Sequence, residues 1–263
     1  MKIIDFHAHI YPEKIAAKAV ESIGDFYSIH MSGEGTSKAL IENGEKCGIT
    51  NYLVHSVAVT AANVVAINNF ISAECKEHNE FIGFGTMHAD FEDKIKEAER
   101  MKELGLKGVK IHPDTQKYNI DDERMYELYD YLRQNDMPLL IHTGDYRYDY
   151  SHPRRLKNIL KLFPGITAIG AHFGGWSVCD LAYEFLGEEN CYIDTSSSFA
   201  FLGLKRAEEL IRMYGAERVL FGTDFPMWEA ESEIEAINSM NLTEDERQLI
   251  FYKNAENILK VNL

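Results

Sequence analysis

Cysteine is scarce in this 263-residue chain: Cys47, Cys75, Cys179 and Cys191 are the full set, and no two form a CxxC pair. Such spacing excludes a disulfide-stapled scaffold and a zinc ribbon, and the four read as buried thiols. Basic charge is also short, with 27 Lys and Arg against 42 Asp and Glu, a formal net charge of −15. A chain this acidic, with no basic run, is excluded as a nucleic-acid or anionic-membrane binder, although a cleft can carry a field of its own sign. No apolar stretch approaches the ~20 residues that cross a bilayer. The N-terminus leads directly into a strand and not a signal peptide, so a cytoplasmic location is expected. Low-complexity segments and linkers are missing too, which leaves a single domain as the expectation.

What is present is enough apolar residue, 45%, to bury a sizeable core. Eight short runs rich in β-branched and aromatic residues predict strands: "IIDFHA" at the N-terminus, then 51–57, 81–87, 107–112, 138–144, 166–172, 191–197 and 218–224. Between them the period becomes helical, as at Met125, Leu128, Tyr129 and Leu132, or Val64, Ile67 and Ile71. Gly105, Pro164 with Gly165, and Gly215 stand where helices should stop. Eight strands, each followed by a helix at ~30-residue spacing, predict a (β/α)8 TIM barrel spanning 1–263, with an open doubly wound sheet as the competing arrangement. Residues 13–36 read as an insertion between the first strand and its own helix, covering part of the barrel mouth.

Active sites in such barrels lie at the C-terminal ends of the strands. The first strand ends in His7 and His9, and a period of two puts Asp5, His7 and His9 on one face. The fourth ends in Lys110 and His112, the fifth in His142, the sixth in His172 and the eighth in Asp224. His30 and His78 fall elsewhere and read as solvated or structural, while His55 and His152 suit core or capping roles.

In order, "HAH", "KIHP", "IHTG", "AHFGG" and "GTDFP" resemble the amidohydrolase superfamily over essentially the whole chain. The similarity is to its branch of metal-dependent TIM-barrel hydrolases and decarboxylases, which includes aminocarboxymuconate-semialdehyde decarboxylase. That resemblance implies His7, His9, His142 and Asp224 as metal ligands and His172 as a catalytic group or further ligand. It leaves the reaction open, because the family contains hydrolases and non-oxidative decarboxylases.

Three imidazoles and one carboxylate around an open position suit catalytic zinc, with Mn²⁺ or Fe²⁺ tolerated. A metal-activated water near neutrality, with Asp224 as proton carrier and His172 toward the developing oxyanion, would hydrolyse a small amide, ester or lactone. That is the first reading. The alternative is decarboxylation of a small, aromatic carboxylic acid, and a third is a non-catalytic metal-binding barrel. Lys110 points into the barrel and has three roles open to it. Carbamylated, it would bridge a second metal; free, it would bind a substrate carboxylate or phosphate; otherwise it would pair with an acid such as Asp5. His112 stands between substrate contact and structural cap. His88, Arg147 and Trp176, with Asp90 and Trp228 nearby, are candidate pocket residues for a small-molecule substrate, and Ser196 to Ser198 read as polar lining. One or two ions, and a homo-oligomer, remain open.

Overall fold

All eight expected strands form; the first is displaced by one residue from its apolar run, and the other seven are shorter than theirs. The computed structural model describes residues 2–260. The strands are β1 (Ile4–His9), β2 (Asn51–His55), β3 (Phe81–Thr86), β4 (Gly108–Ile111), β5 (Leu139–Ile141), β6 (Ala168–Gly170), β7 (Tyr192–Asp194) and β8 (Val219–Leu220). They pair in parallel in chain order. The ring closes where the Phe6 amide donates to the Phe221 carbonyl (2.8 Å) and the His9 amide to the Phe225 carbonyl (2.7 Å). This is the (β/α)8 barrel. The strands stop early because the chain turns into loops at their upper ends, where His172, Ser197 and Asp224 take left-handed backbone angles (φ 61°, 51° and 58°). Such angles are uncommon for non-glycine residues and cluster at functional sites.

The longer helices are α1 (Glu13–Tyr27), α2 (Ser37–Glu45), α3 (Val64–Glu77), α4 (Lys94–Glu103), α5 (Tyr126–Gln134), α6 (Pro153–Leu162), α7 (Cys179–Leu186), α8 (Leu204–Tyr214) and α9 (Ala230–Ser239). The side-chain period of two divides the apolar residues into two cores. Val109, Ile111, Leu139, Ile141 and Val219 face outward into the layer under the helices. Ile4, Phe6, Leu53, Phe84, Leu140, Ile169 and Leu220 fill the lumen, where Ala255, Ile258 and Leu259 of the C-terminal helix pack against them. The lumen is therefore solid below the site.

One expectation fails in β1. Ile4 and Phe6 belong to the lumen, but Ala8 and Ile10 belong to the outer layer. The phase slips by one residue at a bulge between Asp5 and Ala8. His7 and His9 are thereby turned inward, whereas Asp5, on the other phase, accepts from the Thr223 amide (3.0 Å) and hydroxyl (2.6 Å) instead. Bulges commonly re-aim side chains beside active sites. Within 13–36, α1 ends at Tyr27, which packs with Trp176 and Met227.

Candidate metal centre

At the top of the lumen His7 Nε2 and His9 Nε2 each lie 3.4 Å from Asp224 Oδ1. Gly222 permits this approach, since a Cβ there would sit 2.8 Å from the His7 Cβ. His7 Nδ1 donates to Asp194 Oδ2 (2.8 Å), which leaves Nε2 free of its proton and aimed inward. The other Asp224 oxygen accepts from Ser197 Oγ (2.5 Å), which accepts from Trp228 Nε1 (2.8 Å).

Burial, with the Lys110 ammonium behind it, lowers the His7 pKa to about 4, and burial likewise lowers that of His9. Burial alone would raise Asp224, but His7, His9 and His172 outweigh it and hold the carboxylate well below its usual range. Two neutral imidazoles and an ionised carboxylate, backed by a second carboxylate on His7, form a donor set suited to a divalent cation. The fit is strengthened by His55. Both its ring nitrogens are buried without a hydrogen-bond partner among the described residues, and its ring lies 4.9 Å from that of His7 and 4.4 Å from that of His9. Its donor atom lies within 4.8 Å of theirs. The end of β2 thus delivers His55 to the candidate donor group of His7 and His9, where the sequence suggested a core or capping role.

His142 and His172 are joined in a chain whose proton order is set by one carbonyl. His172 Nδ1 donates to the Ser196 carbonyl (3.0 Å), so its Nε2 accepts from His142 Nδ1 (3.0 Å). His142 Nε2 then lies 3.5 Å from the Tyr27 hydroxyl and 3.3 Å from Asp114 Oδ2. His142 lines the same cavity as His7, His9 and Asp224, but its hydrogen bonds and ring stacking run to this second group. His112 stacks on it with ring centres 3.8 Å apart, and His112 Nε2 lies 2.7 Å from the Tyr27 hydroxyl. His112 is also a cap, since its Nδ1 accepts from the Thr115 amide at 3.5 Å. Burial raises Asp114 to about 6, against the opposing Ser151 hydrogen bond.

Lys110 is buried in the cavity wall with Nζ 3.0 Å from His7 Nε2. Burial lowers its pKa to about 8, against the pull of Asp194 and Asp224. Its neighbour is thus the ligand cluster, and Asp5 is engaged elsewhere. The outer candidates are placed differently. His88 accepts from the Asp90 amide (3.1 Å) and caps the loop after β3, apart from the cavity lining. Arg147 is held by Asp145 and the Phe26 carbonyl, with its guanidinium over Phe26, Tyr27, Tyr148 and Trp176. Arg147 and Trp176 therefore clamp the end of α1 and stand behind Tyr27, not in the cavity. Sequence reasoning missed Tyr27, Asp114 and Asp194. Asp194 was the most accessible of them, as an acid closing the run "CYID" at a strand end, the position that places His7 and His9, Lys110, His142, His172 and Asp224 in the cavity lining.

The amidohydrolase family model matches residues 4–261. The chain belongs to the amidohydrolase family. Among solved structures, this amidohydrolase is similar to an uncharacterised TIM-barrel protein from Bordetella bronchiseptica, at 20% identity and TM-score 0.78 over 99% of each chain. It is similar to dihydroxybenzoic acid decarboxylase from Polaromonas sp. JS666, solved with manganese and 2-nitroresorcinol, at 16% identity and TM-score 0.78 over 100% of this chain and 98% of that one. A curated relative, decarboxylase orsB of Emericella nidulans, is 28% identical over 99 residues. That match spans 36% of the amidohydrolase and 29% of the relative.

Proposed function

We propose that this amidohydrolase is a metal-dependent, non-oxidative decarboxylase of a small aromatic carboxylic acid. The observation that carries the reading is Lys110, an ammonium buried in the same cavity as the His7, His9 and Asp224 donors. An ion on His7 Nε2 would displace the Lys110 ammonium from that nitrogen, and a substrate carboxylate placed beside it would then meet a buried cation, a charge-assisted contact worth about 1.5–3 kcal/mol. Hydrolysis, preferred on sequence, gives way because the relatives with named activities are decarboxylases. Either manganese or zinc suits the mixed imidazole and carboxylate donors.

A bound divalent ion would draw electron density from the carboxylate and a neighbouring ring hydroxyl. Lys110 holds the carboxylate in register. Asp224, ionised and fixed by Ser197, takes the hydroxyl proton and returns it to the ring carbon that bears the carboxylate. The carbon–carbon bond then breaks, its electron pair enters the ring, and CO₂ leaves a phenolate that regains a proton from water. His172 acts through His142 as a positioning residue, because both its ring nitrogens are engaged by the protein.

Metal-loaded protein incubated with hydroxybenzoic acids, esters, lactones and acyl amides should release CO₂ from the acids. Lys110→Met should raise KM about 10- to 100-fold, the equivalent of the lost contact. Hydrolysis of an ester, lactone or amide without CO₂ from any acid would overturn the proposal.

A further inference from the structure

Strand pairing puts His55 beside His9. On β2, Tyr52 and Val54 pack in the outer layer and Leu53 in the lumen, so the period of two turns His55 inward. At the start of the ladder Ile4 pairs with Asn51 and Asp5 with Tyr52, and an unbroken register would set Ala8 opposite His55. The bulge in β1 moves Ala8 to Val54 and His9 to His55 instead. Two inward imidazoles therefore end neighbouring strands, which run about 4.8 Å apart.

His55 is fully buried, and neither of its nitrogens has a hydrogen-bond partner among the described residues. Burial, with His9 and Lys110 behind it, holds its pKa well below the usual value, so the ring is neutral and one nitrogen carries a lone pair. Leaving such an atom unanswered costs about 1–3 kcal/mol. A cation would answer it. Donor atoms of His7, His9 and His55 lie within 4.8 Å of one another, against a span of up to about 4.2 Å between two nitrogens on one zinc ion, a difference that small ring rotations close. His142 is committed elsewhere: its Nδ1 donates to His172, its Nε2 faces the Tyr27 hydroxyl and Asp114, and its ring stacks on His112.

Resting on the metal-dependent reading of this site, we propose that His55 is a ligand of the ion and replaces His142 as the third imidazole of the set. The ion is then held by His7, His9, His55 and Asp224. These donors come from β1, from β2 and from the turn after β8, three consecutive strands of the closed ring, whereas His142 follows β5 on the opposite side of the barrel. Three imidazoles and one carboxylate suit zinc and leave a further position open to substrate.

The test is zinc affinity, measured by competition with a chromophoric chelator, in wild type, His55→Leu and His142→Gln. His55→Leu should weaken zinc binding by more than about 100-fold, beyond the loss of a partner behind a ligand histidine, while His142→Gln should bind zinc as wild type does. Metal-free His55→Leu should melt no lower than the metal-free wild type, because an unanswered buried imidazole gives way to an apolar side chain. If leucine does lower the melting point, His55→Gln carries the same comparison of affinities. Unchanged affinity in the His55 variants would overturn the proposal and reduce His55 to a ring packed edge-on with His9. Loss of zinc from His142→Gln would also overturn it and restore the ligand set expected from the sequence. A wild type that takes up no zinc or manganese would sink the metal-dependent reading itself, and this inference with it.

Discussion

Asp194 does not line the cavity, yet it decides which nitrogen His7 offers. One of its oxygens takes His7 Nδ1, and the other accepts the His172 amide, the Ser196 amide and the Ser196 hydroxyl. An amide at this position has a single acceptor, so Asp194→Asn must face one set of donors with its own NH₂. Metal affinity should fall 10- to 100-fold, as is usual for a lost partner behind a ligand histidine. Competition with a chromophoric chelator measures it, and unchanged affinity would show that His7 needs no such partner. His7, His9, His142, Lys110 and Asp224 were legible at this scale because each closes an apolar run. His55 was not, since a histidine in "NYLVHSV" looks the same whether it faces the helices or the lumen. Asp5 misled for the opposite reason: strict alternation counts it with His7, and no residue in "IIDFHAH" announces the bulge that separates them.

Among the elements, α9 carries a device unrelated to chemistry. Glu233, in its first turn, is 5% exposed, and one of its carboxylate oxygens has no hydrogen-bond partner among the described residues. Burial, then the charges of Asp224 and Asp5, raise its pKa from 4.5 to about 8. The folded chain therefore keeps a proton that the unfolded chain releases above pH 4.5. The stability tied to that proton is complete below pH 4.5 and is lost as the pH climbs to about 8. Glu233→Gln should thus be progressively more stable than wild type between pH 5 and 8, with a gap growing by about 1 kcal/mol per pH unit. Urea titrations at several pH values report it, and parallel curves would refute it. The barrel helices were readable from their period, whereas the role of α1 was readable only as an insertion. That its end would be clamped by Arg147 and Trp176 depends on contacts between loops far apart in sequence, which no local pattern encodes.

For the molecule as a whole, the donors come from strands at opposite ends of the chain. The Asp224 amide donates to the His7 carbonyl (2.8 Å), so the ligand pair also straddles the seam where β8 meets β1. A bound ion would fasten that seam, and an ion at 100 times its Kd adds about 2.7 kcal/mol to stability. Stripping metal with a chelator should lower the melting temperature by several degrees, and restoring manganese or zinc should return it; a melting point indifferent to both would show that the seam holds unaided. The barrel was visible in the sequence because eight strand–helix repeats leave few alternatives, but the seam is a property of closure that no single repeat contains. It also gives synthesis a direction. While β1 is emerging from the ribosome its histidines have no Asp224 to meet, and six further strands must be made before the eighth arrives. An ion seated on His7, His9 and Asp224 would therefore be taken up only after β8 has been made.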